Sequence, residues 1–262
     1  MISKLKNNRI KSRSLISLCS VAILIAIWWL VTDGLKLVAP SAMASPITVV
    51  KTFFTKLFDP NPDGGTLLQH TIASMRIAMV GYIMAVIIGI PLGIIMAWNK
   101  YIDLFVRPIF DLIRTIPGIA WISMLILIFG VGNTARYIVV FLAAIVPCIL
   151  NSFSGVKQTR DVHMWVGQTF GATRMQLLFH IAIPTALPMI MTGIKVALGA
   201  SWMTIVAAEL LASSRGLGFM IQQARGIYRP DIIMVGMIVI GLLGGIMSRL
   251  LERLSKFVVK GR

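Results

Sequence analysis

Few ionisable side chains interrupt the long apolar runs of this chain, and their chemistry has to be explained first. The runs contain Arg76, Asp111, Arg114, Lys195 and Glu209. A charge inside an apolar segment is costly unless it is paired or faces a water-filled path. Arg76 and Glu209 have opposite signs and fall at similar depths, so we predict a structural ion pair between them. Asp111 could pair with Arg114 three residues later or with Lys195 on another helix.

The choice of partner for Asp111 decides what the remaining basic group does. If Asp111 takes only one partner, either Arg114 or Lys195 is left facing a pathway, which would suit an anionic solute. A fully paired charge cluster is the alternative, and the sequence leaves both open. Small residues on the same segment as Lys195 form a face that fits either close helix packing or a pathway lining. These residues are Gly193, Ala197, Ala200 and Thr204.

Membrane-spanning helices must position these side chains. Of the 262 residues, 57% are hydrophobic and 13% are charged, which is a membrane-protein composition. We predict an all-α membrane protein with a single domain, 1–262, and six spans. The spans are predicted at about 15–31, 67–98, 102–129, 136–154, 186–211 and 232–251. Two glycine pairs, Gly89 with Gly93 and Gly241 with Gly245, are candidates for close helix packing, and we expect at least one to lie at a helix contact.

The net charge of +16 reflects topology, because Lys and Arg accumulate on the cytoplasmic side of membrane proteins. Basic residues precede the first span and surround the end of the last, which predicts that both termini are cytoplasmic. Arg215, Arg225 and Arg229 disagree with this rule, since they fall in the last predicted outer loop. No basic run interleaved with aromatic residues indicates nucleic-acid binding. The two cysteines lie inside apolar segments, so we expect neither a disulfide nor a metal site.

A polar stretch at 155–184 separates two apolar blocks. It contains two short helical pieces hinged at Gly171, each with an apolar face too short to cross a bilayer. Gly171 can adopt a positive φ and reverse the chain tightly, and Pro184 is predicted to end the second piece. The stretch is either an amphipathic linker on the membrane surface or a knob for a soluble partner. The apolar residues that would serve as anchors are Trp165, Val166, Phe170 and Leu178.

An ordered set of motifs resembles the permeases of binding-protein-dependent ABC importers. Their cytoplasmic-loop signature is similar to Gly171-Ala172 followed by Ile181-x-Ile183-Pro184. Further stretches resemble, more narrowly, the taurine, aliphatic sulfonate and nitrate-type permeases. They are Ser74-Met-Arg76, Arg114-Thr-Ile-Pro117, Phe129-Gly130-Val-Gly132, and Val206-Ala-Ala-Glu209 through Arg215-Gly-Leu-Gly218. The family loop usually begins Glu-Ala-Ala, whereas this chain has Trp165-Val166-Gly167 at that place.

The resemblance implies a type I importer permease in the inner cell membrane, surrounded by lipid. The implied partners are a second permease copy, two cytoplasmic ATPase subunits and an external binding protein. The Gly171 stretch would then be the coupling helix that docks into the ATPase. The residues assigned to coupling are Trp165, Val166, Gly167, Phe170, Gly171, Ala172, Arg174, Leu178 and Pro184. The sequence has no Gly-x4-Gly-Lys-Ser/Thr phosphate loop, so ATP and Mg belong to a partner chain and we expect no cofactor on this one.

Two other function classes remain as alternatives. An ion-gradient-driven secondary transporter would show paired halves and several coupling acids, whereas the predicted spans hold three acids, Asp103 at the very start of the third span, Asp111 and Glu209, and no half-repeat appears. A membrane-embedded enzyme would need a catalytic cluster at one depth, and the three histidines fall on opposite sides. We therefore predict a non-enzymatic permease subunit for a small anionic solute such as a sulfonate or nitrate.

Overall fold

A computed structural model describes residue 16, residues 18–211 and residues 213–260. All regular elements of this described part are helical. The predicted basic arm at residues 4–13 and the basic residue Arg262 lie outside it. The chain divides into two compact units. One unit comprises the sequence up to Leu67 together with Met220–Ile238, and the other comprises Leu68–Phe219 and the sequence from Val239 onward. The single-domain organisation stays a prediction.

The helices of the described residues are numbered in chain order. They are α1 Leu18–Gly34, α2 Pro46–Phe58, α3 Leu67–Trp98, α4 Lys100–Thr115, α5 Trp121–Phe129, α6 Asn133–Lys157, α7 Asp161–Thr169, α8 Arg174–Leu177, α9 Ile183–Leu211, α10 Leu217–Gly226 and α11 Pro230–Lys260. A 3-10 turn, Gly118–Ala120, precedes α5, and a π-helical turn, Leu178–Ala182, joins α8 to α9.

The first unit is held together by polar contacts at helix ends. Ser45 caps α2 by accepting a hydrogen bond from the backbone of Thr48. Thr52 of α2 donates to a carboxylate oxygen of Asp231 at 2.8 Å, which fixes α2 to the first turn of α11. Lys56 is buried, and its ammonium group bonds Asp63 and the carbonyl oxygens of the loop that follows α2. These bonds compensate for burying its charge.

The second unit has its core where α6 packs against α3 and α9. Gly89 and Gly93 allow α3 to approach α6 closely, because a Cβ on Gly93 would lie 2.5 Å from the carbonyl oxygen of Ile149. The prediction that at least one glycine pair lies at a helix contact is therefore confirmed. The pair Gly241 and Gly245 differs, since a Cβ on either would meet no described atom within 4 Å.

Four helices of the described residues are long and apolar enough to cross a membrane. They are α3, α6, the continuous helix Arg174–Leu211, and Pro230–Val258 within α11. Helix α1 is apolar but shorter. The predicted third span at 102–129 is not one helix, because α4 and the segment Gly118–Phe129 meet at a bend of 82°. Pro117 causes the break: the residue before a proline is pushed out of the helical region, and Ile116 is extended, with φ −86° and ψ 118°.

Candidate functional site

The turn at Gly171 is built as the sequence predicts. Gly171 has a φ of +76°, in the left-handed region that a residue with a Cβ adopts only with strain. Thr173 then restarts the helix through a capping box, in which its side chain accepts from Gln176 and the Gln176 side chain accepts from the backbone of Thr173. The chain thus reverses between α7 and α8 over a few residues.

Three of the four predicted anchors are among the exposed apolar side chains of this stretch, which also include Val162, Met175 and Phe179. Trp165 is 63% exposed, Val166 51% and Phe170 87%. Surface residues of this size and character, grouped on one short helix and its end, typically mark an interaction site. We call these three residues the apolar knob.

Leu178 does not belong to the apolar knob, although the sequence placed it among the anchors. Its side chain is 7% exposed and lies in a core cluster with Ala97, Ala182 and Ala186. The assignment of Leu178 as a partner contact is therefore wrong. The residue instead attaches the stretch at 155–184 to the helical bundle, since burying a leucine stabilises packing by about 1.5–3 kcal/mol.

Gly167 and Arg174 hold the apolar knob in place. A Cβ on Gly167 would lie 2.5 Å from Cδ2 of Leu177, so a larger residue would force the Leu177 side chain to move where α7 meets α8. Arg174 donates to the carbonyl oxygen of Trp98 at 3.0 Å, and its guanidinium lies 5.8 Å from the centre of the Trp98 ring. Ala172 lines a recess of about 350 Å³ beside the same residues. These contacts tie the stretch to the end of α3.

Pro184 does not end the second helical piece, contrary to the sequence prediction. The helix continues from Arg174 to Leu211, with the π-helical turn Leu178–Ala182 immediately before the proline. A proline ring clashes with the carbonyl of the residue four positions earlier in a regular α-helix. The wider π-helical turn relieves that clash without breaking the helix. The helix that follows the Gly171 turn therefore continues without a break into α9.

The ion pair between Asp111 and Arg114 is present, with 2.8 Å between Oδ1 and Nε. Both side chains are more than two-fifths exposed, so the pair contributes little stability by itself. Lys195 is half-buried and forms no ion pair in the described part of the chain. Of the two basic candidates for a pathway, Lys195 is therefore the one without a paired carboxylate.

The small residues of α9 divide into two groups. Gly193 and Ala197 are buried against neighbouring helices: a Cβ on Gly193 would lie 2.7 Å from Cβ of Asn151 on α6, and Ala197 is 0% exposed. For these two, the pathway assignment is replaced by close packing. Ala200 and Thr204 are half-buried, and their place in a pathway, like that of Arg114 and Lys195, stays a prediction.

The predicted ion pair between Arg76 and Glu209 is wrong. Arg76 is exposed, whereas Glu209 is 1% exposed and accepts hydrogen bonds from Ser74 Oγ at 2.8 Å and from the backbone N–H of Gly218 at 2.9 Å. Ser74 and Arg76 are two residues apart on α3, and residues at that spacing point in different directions. Matching depth along two helices therefore does not establish a contact.

Sequence reasoning also missed the buried polar residues around Glu209, which include His70, Ser74 and Arg136. Each is at most 6% exposed. Arg136 was readable as a basic residue inside an apolar run, the same signal that singled out Arg76. His70 and Ser74 carried no comparable signal, because a serine or a histidine in an apolar run is less unusual than an arginine.

Comparison with known proteins places this arrangement in a family. Residues 89–261 match the family described as "Binding-protein-dependent transport system inner membrane component". The chain is 34% identical to the taurine transport system permease protein TauC of Escherichia coli, with 92% of this chain and 87% of the relative covered. It is 30% identical to the nitrate import permease protein NrtB of Synechocystis, with 92% and 87% covered.

A solved structure supports the fold. The inward-facing MetNI methionine ABC transporter has a chain that superimposes with a TM-score of 0.64 at 18% identity, covering 73% of this chain and 95% of the other. At that identity the likeness concerns the fold alone. Together with the family match and its relatives, it identifies the fold of an ABC importer permease. The chain belongs to the inner-membrane components of binding-protein-dependent transport systems, the multi-pass permease subunits of ABC importers.

Proposed function

We propose that two copies of this chain form the translocation pathway of an importer for a small anionic solute. Two cytoplasmic ATPase subunits bind the apolar knob, and an external binding protein delivers the solute. The observation that carries the proposal is the exposure of Trp165, Val166 and Phe170 on a stretch that the Gly171 turn joins to the helix Arg174–Leu211. An apolar face of this kind favours a hydrophobic groove on a partner protein over solvent.

The proposed topology has six spans with both termini in the cytoplasm. Helix α1 supplies the first span, and α4 together with α5 supplies the third as a broken span. Irregular backbone is tolerated at membrane depth where protein or water covers it. With this count the Gly171 stretch lies on the cytoplasmic side, where an ATPase can reach it.

The anionic solute class is supported by charge and by the relatives. The relatives named above carry taurine and nitrate in their names, and a sulfonate or nitrate is a small anion. Lys195 is half-buried on α9 and forms no direct ion pair in the described residues, although its charge interacts with that of Glu252, and we infer that its ammonium group faces a passing anion. Arg114, already paired with Asp111, serves this role less well.

The test is reconstitution of the permease, its ATPase and its binding protein into lipid vesicles. Uptake of taurine, an alkanesulfonate and nitrate is measured with ATP present or absent on the ATPase side. We expect ATP-dependent uptake of at least one anion, and a loss of uptake in Lys195→Met that Lys195→Arg partly restores. Lys100→Met is the matched control, since Lys100 is an exposed lysine at the start of α4.

Uptake that depends on an imposed ion gradient and does not depend on ATP would contradict the proposal and favour a secondary transporter. ATP-dependent uptake that is equal in Lys195→Met and in the control would leave the importer role intact and remove Lys195 from the pathway.

A further inference from the structure

Residues 213–218 connect α9 to α10, and we call them the strap. The strap contains Arg215, one of the three arginines that disagree with the charge rule, and its glycines lie beside the buried carboxylate of Glu209. Gly216 is buried with a φ of +135°, and a Cβ at this position would clash with the carboxylate of Glu209. A Cβ on Gly218 would lie 2.5 Å from the carbonyl oxygen of Val206. The strap therefore fits against the end of α9 only with glycine at both positions.

Three consecutive backbone N–H groups of the strap are bonded by side chains from other helices. Gly216 N–H donates to Nδ1 of His70 at 3.1 Å, Leu217 N–H donates to Oγ of Ser74 at 2.8 Å, and Gly218 N–H donates to Glu209 at 2.9 Å. Ser74 in turn donates to Glu209. The first amides of a helix have no partner within that helix, so α3 and α9 together supply the cap at the start of α10.

Arg136 of α6 holds the other end of the strap. Its guanidinium donates to the side chain of Ser213 at 2.6 Å and to the carbonyl oxygen of Arg215 at 3.4 Å. It also bonds Asn133 and the carbonyl oxygen of Gly132 at the start of α6. Arg136 is 6% exposed, so these bonds are made out of water, where losing one is expensive. The strap is thus tied to α3, α6 and α9 by directional polar bonds.

Glu209 lies near one end of the helix Arg174–Leu211, and the apolar knob precedes the other end of that helix across the Gly171 turn. The segment Arg174–Leu211 is continuous, and Glu209 stands two residues before its end. We propose that Glu209, Ser74 and Arg136 are positioning residues that make the strap and the start of α10 move with α9 as one body. This inference rests on the proposed function, because it assigns the motion to the action of an ATPase on the apolar knob. Apolar packing alone would allow the strap to slide, whereas three bonded amides fix its register.

The first test uses Ser74→Ala in the full complex of permease, ATPase and binding protein. Ser152→Ala is the matched control, since Ser152 is also 0% exposed and its hydroxyl has no hydrogen-bond partner among the described residues. We expect Ser74→Ala to keep basal ATP hydrolysis and to lose about tenfold in binding-protein-stimulated hydrolysis and in uptake. The control is expected to behave as the wild type.

The second test uses the wild-type complex, so it does not depend on the folding of a variant. Amide hydrogen exchange is measured with the complex trapped without nucleotide and with a non-hydrolysable ATP analogue. The amides of Gly216, Leu217 and Gly218 are expected to stay protected in both states. Exchange of these amides at the rate of an exposed loop in either state would overturn the inference.

The outcomes separate the inference from the proposed function. A wild-type complex that the binding protein does not stimulate would contradict the proposed function. A stimulated wild type with an equally stimulated Ser74→Ala variant would contradict the role of the strap alone. If Ser74→Ala cannot be recovered as a complex, the exchange measurement decides.

Discussion

Removing the Phe170 side chain should weaken ATPase binding without destabilising the permease. A phenylalanine buries about 150–250 Å² when it is fully enclosed, and 87% of Phe170 is exposed in this chain. Transfer of that area from water into a partner groove, at about 25 cal/mol per Å², stabilises the complex by at most about 3–5 kcal/mol. Interfaces recover only part of such a sum, so we expect Phe170→Ala to cost about 2–4 kcal/mol of binding free energy.

That loss corresponds to a rise in the dissociation constant of roughly 30-fold to 700-fold. The assay is binding of the purified ATPase subunit to permease in nanodiscs, with thermal unfolding of the free permease measured in parallel. Phe58→Ala is the matched control, because Phe58 is 84% exposed at the end of α2. We expect the control to bind as the wild type, and both variants to unfold within about 0.5 kcal/mol of it. Equal affinity of Phe170→Ala and Phe58→Ala for the ATPase would refute the reasoning.

Three further outcomes are expected. Gly171→Val should reduce stimulated ATP hydrolysis and uptake by roughly 5- to 30-fold, because a positive φ costs a Cβ-bearing residue about 1–2 kcal/mol. Gly171→Asn should retain more activity, since asparagine tolerates a positive φ better. Equal activity of the two variants would contradict the role of the positive φ at residue 171. Gly93→Leu should lower the free energy of unfolding in detergent by about 1–3 kcal/mol, because the added side chain would be forced into α6. Gly199→Leu should leave it unchanged, since no described atom lies within 4 Å of an added Cβ there. A tag at the carboxyl terminus should be protected from reagents outside intact cells, and its labelling from outside would exclude six spans.

The apolar runs predicted much of the helical organisation. The predicted span at 67–98 coincides with α3, and the span at 136–154 lies inside α6. The break in the third span was harder to predict from the sequence. Pro117 marks its position, but the 82° bend depends on where the following segment packs. There Gly118 approaches α6 so closely that a Cβ would lie 2.9 Å from Cβ of Ala143. Sequence shows that a helix can break, and packing decides in which direction it turns.

The candidate site, too, could be predicted only in part from the sequence. The sequence correctly predicted the turn at Gly171, and helical spacing grouped Trp165, Phe170 and Leu178 as candidate anchors. It could not say which apolar residue faces the bundle, because both faces of a short helix at a junction can be buried by different neighbours. Leu178 lies in one core cluster with Ala182 and Ala186 of the continuous helix that begins at Arg174.

The π-helical turn before Pro184 also sets the direction in which the apolar knob faces. A π-helical turn holds about one residue more than an α-helical turn, and each residue of an α-helix advances the chain by about 100° around the axis. Forcing all the residues of Leu178–Ala182 into a regular α-helix would therefore rotate everything before them by about 100° relative to α9, whereas deleting the extra residue would leave that direction nearly unchanged. The direction in which Phe170 faces around the long helix consequently depends on one extra residue being accommodated in this turn, about 30 residues before Glu209.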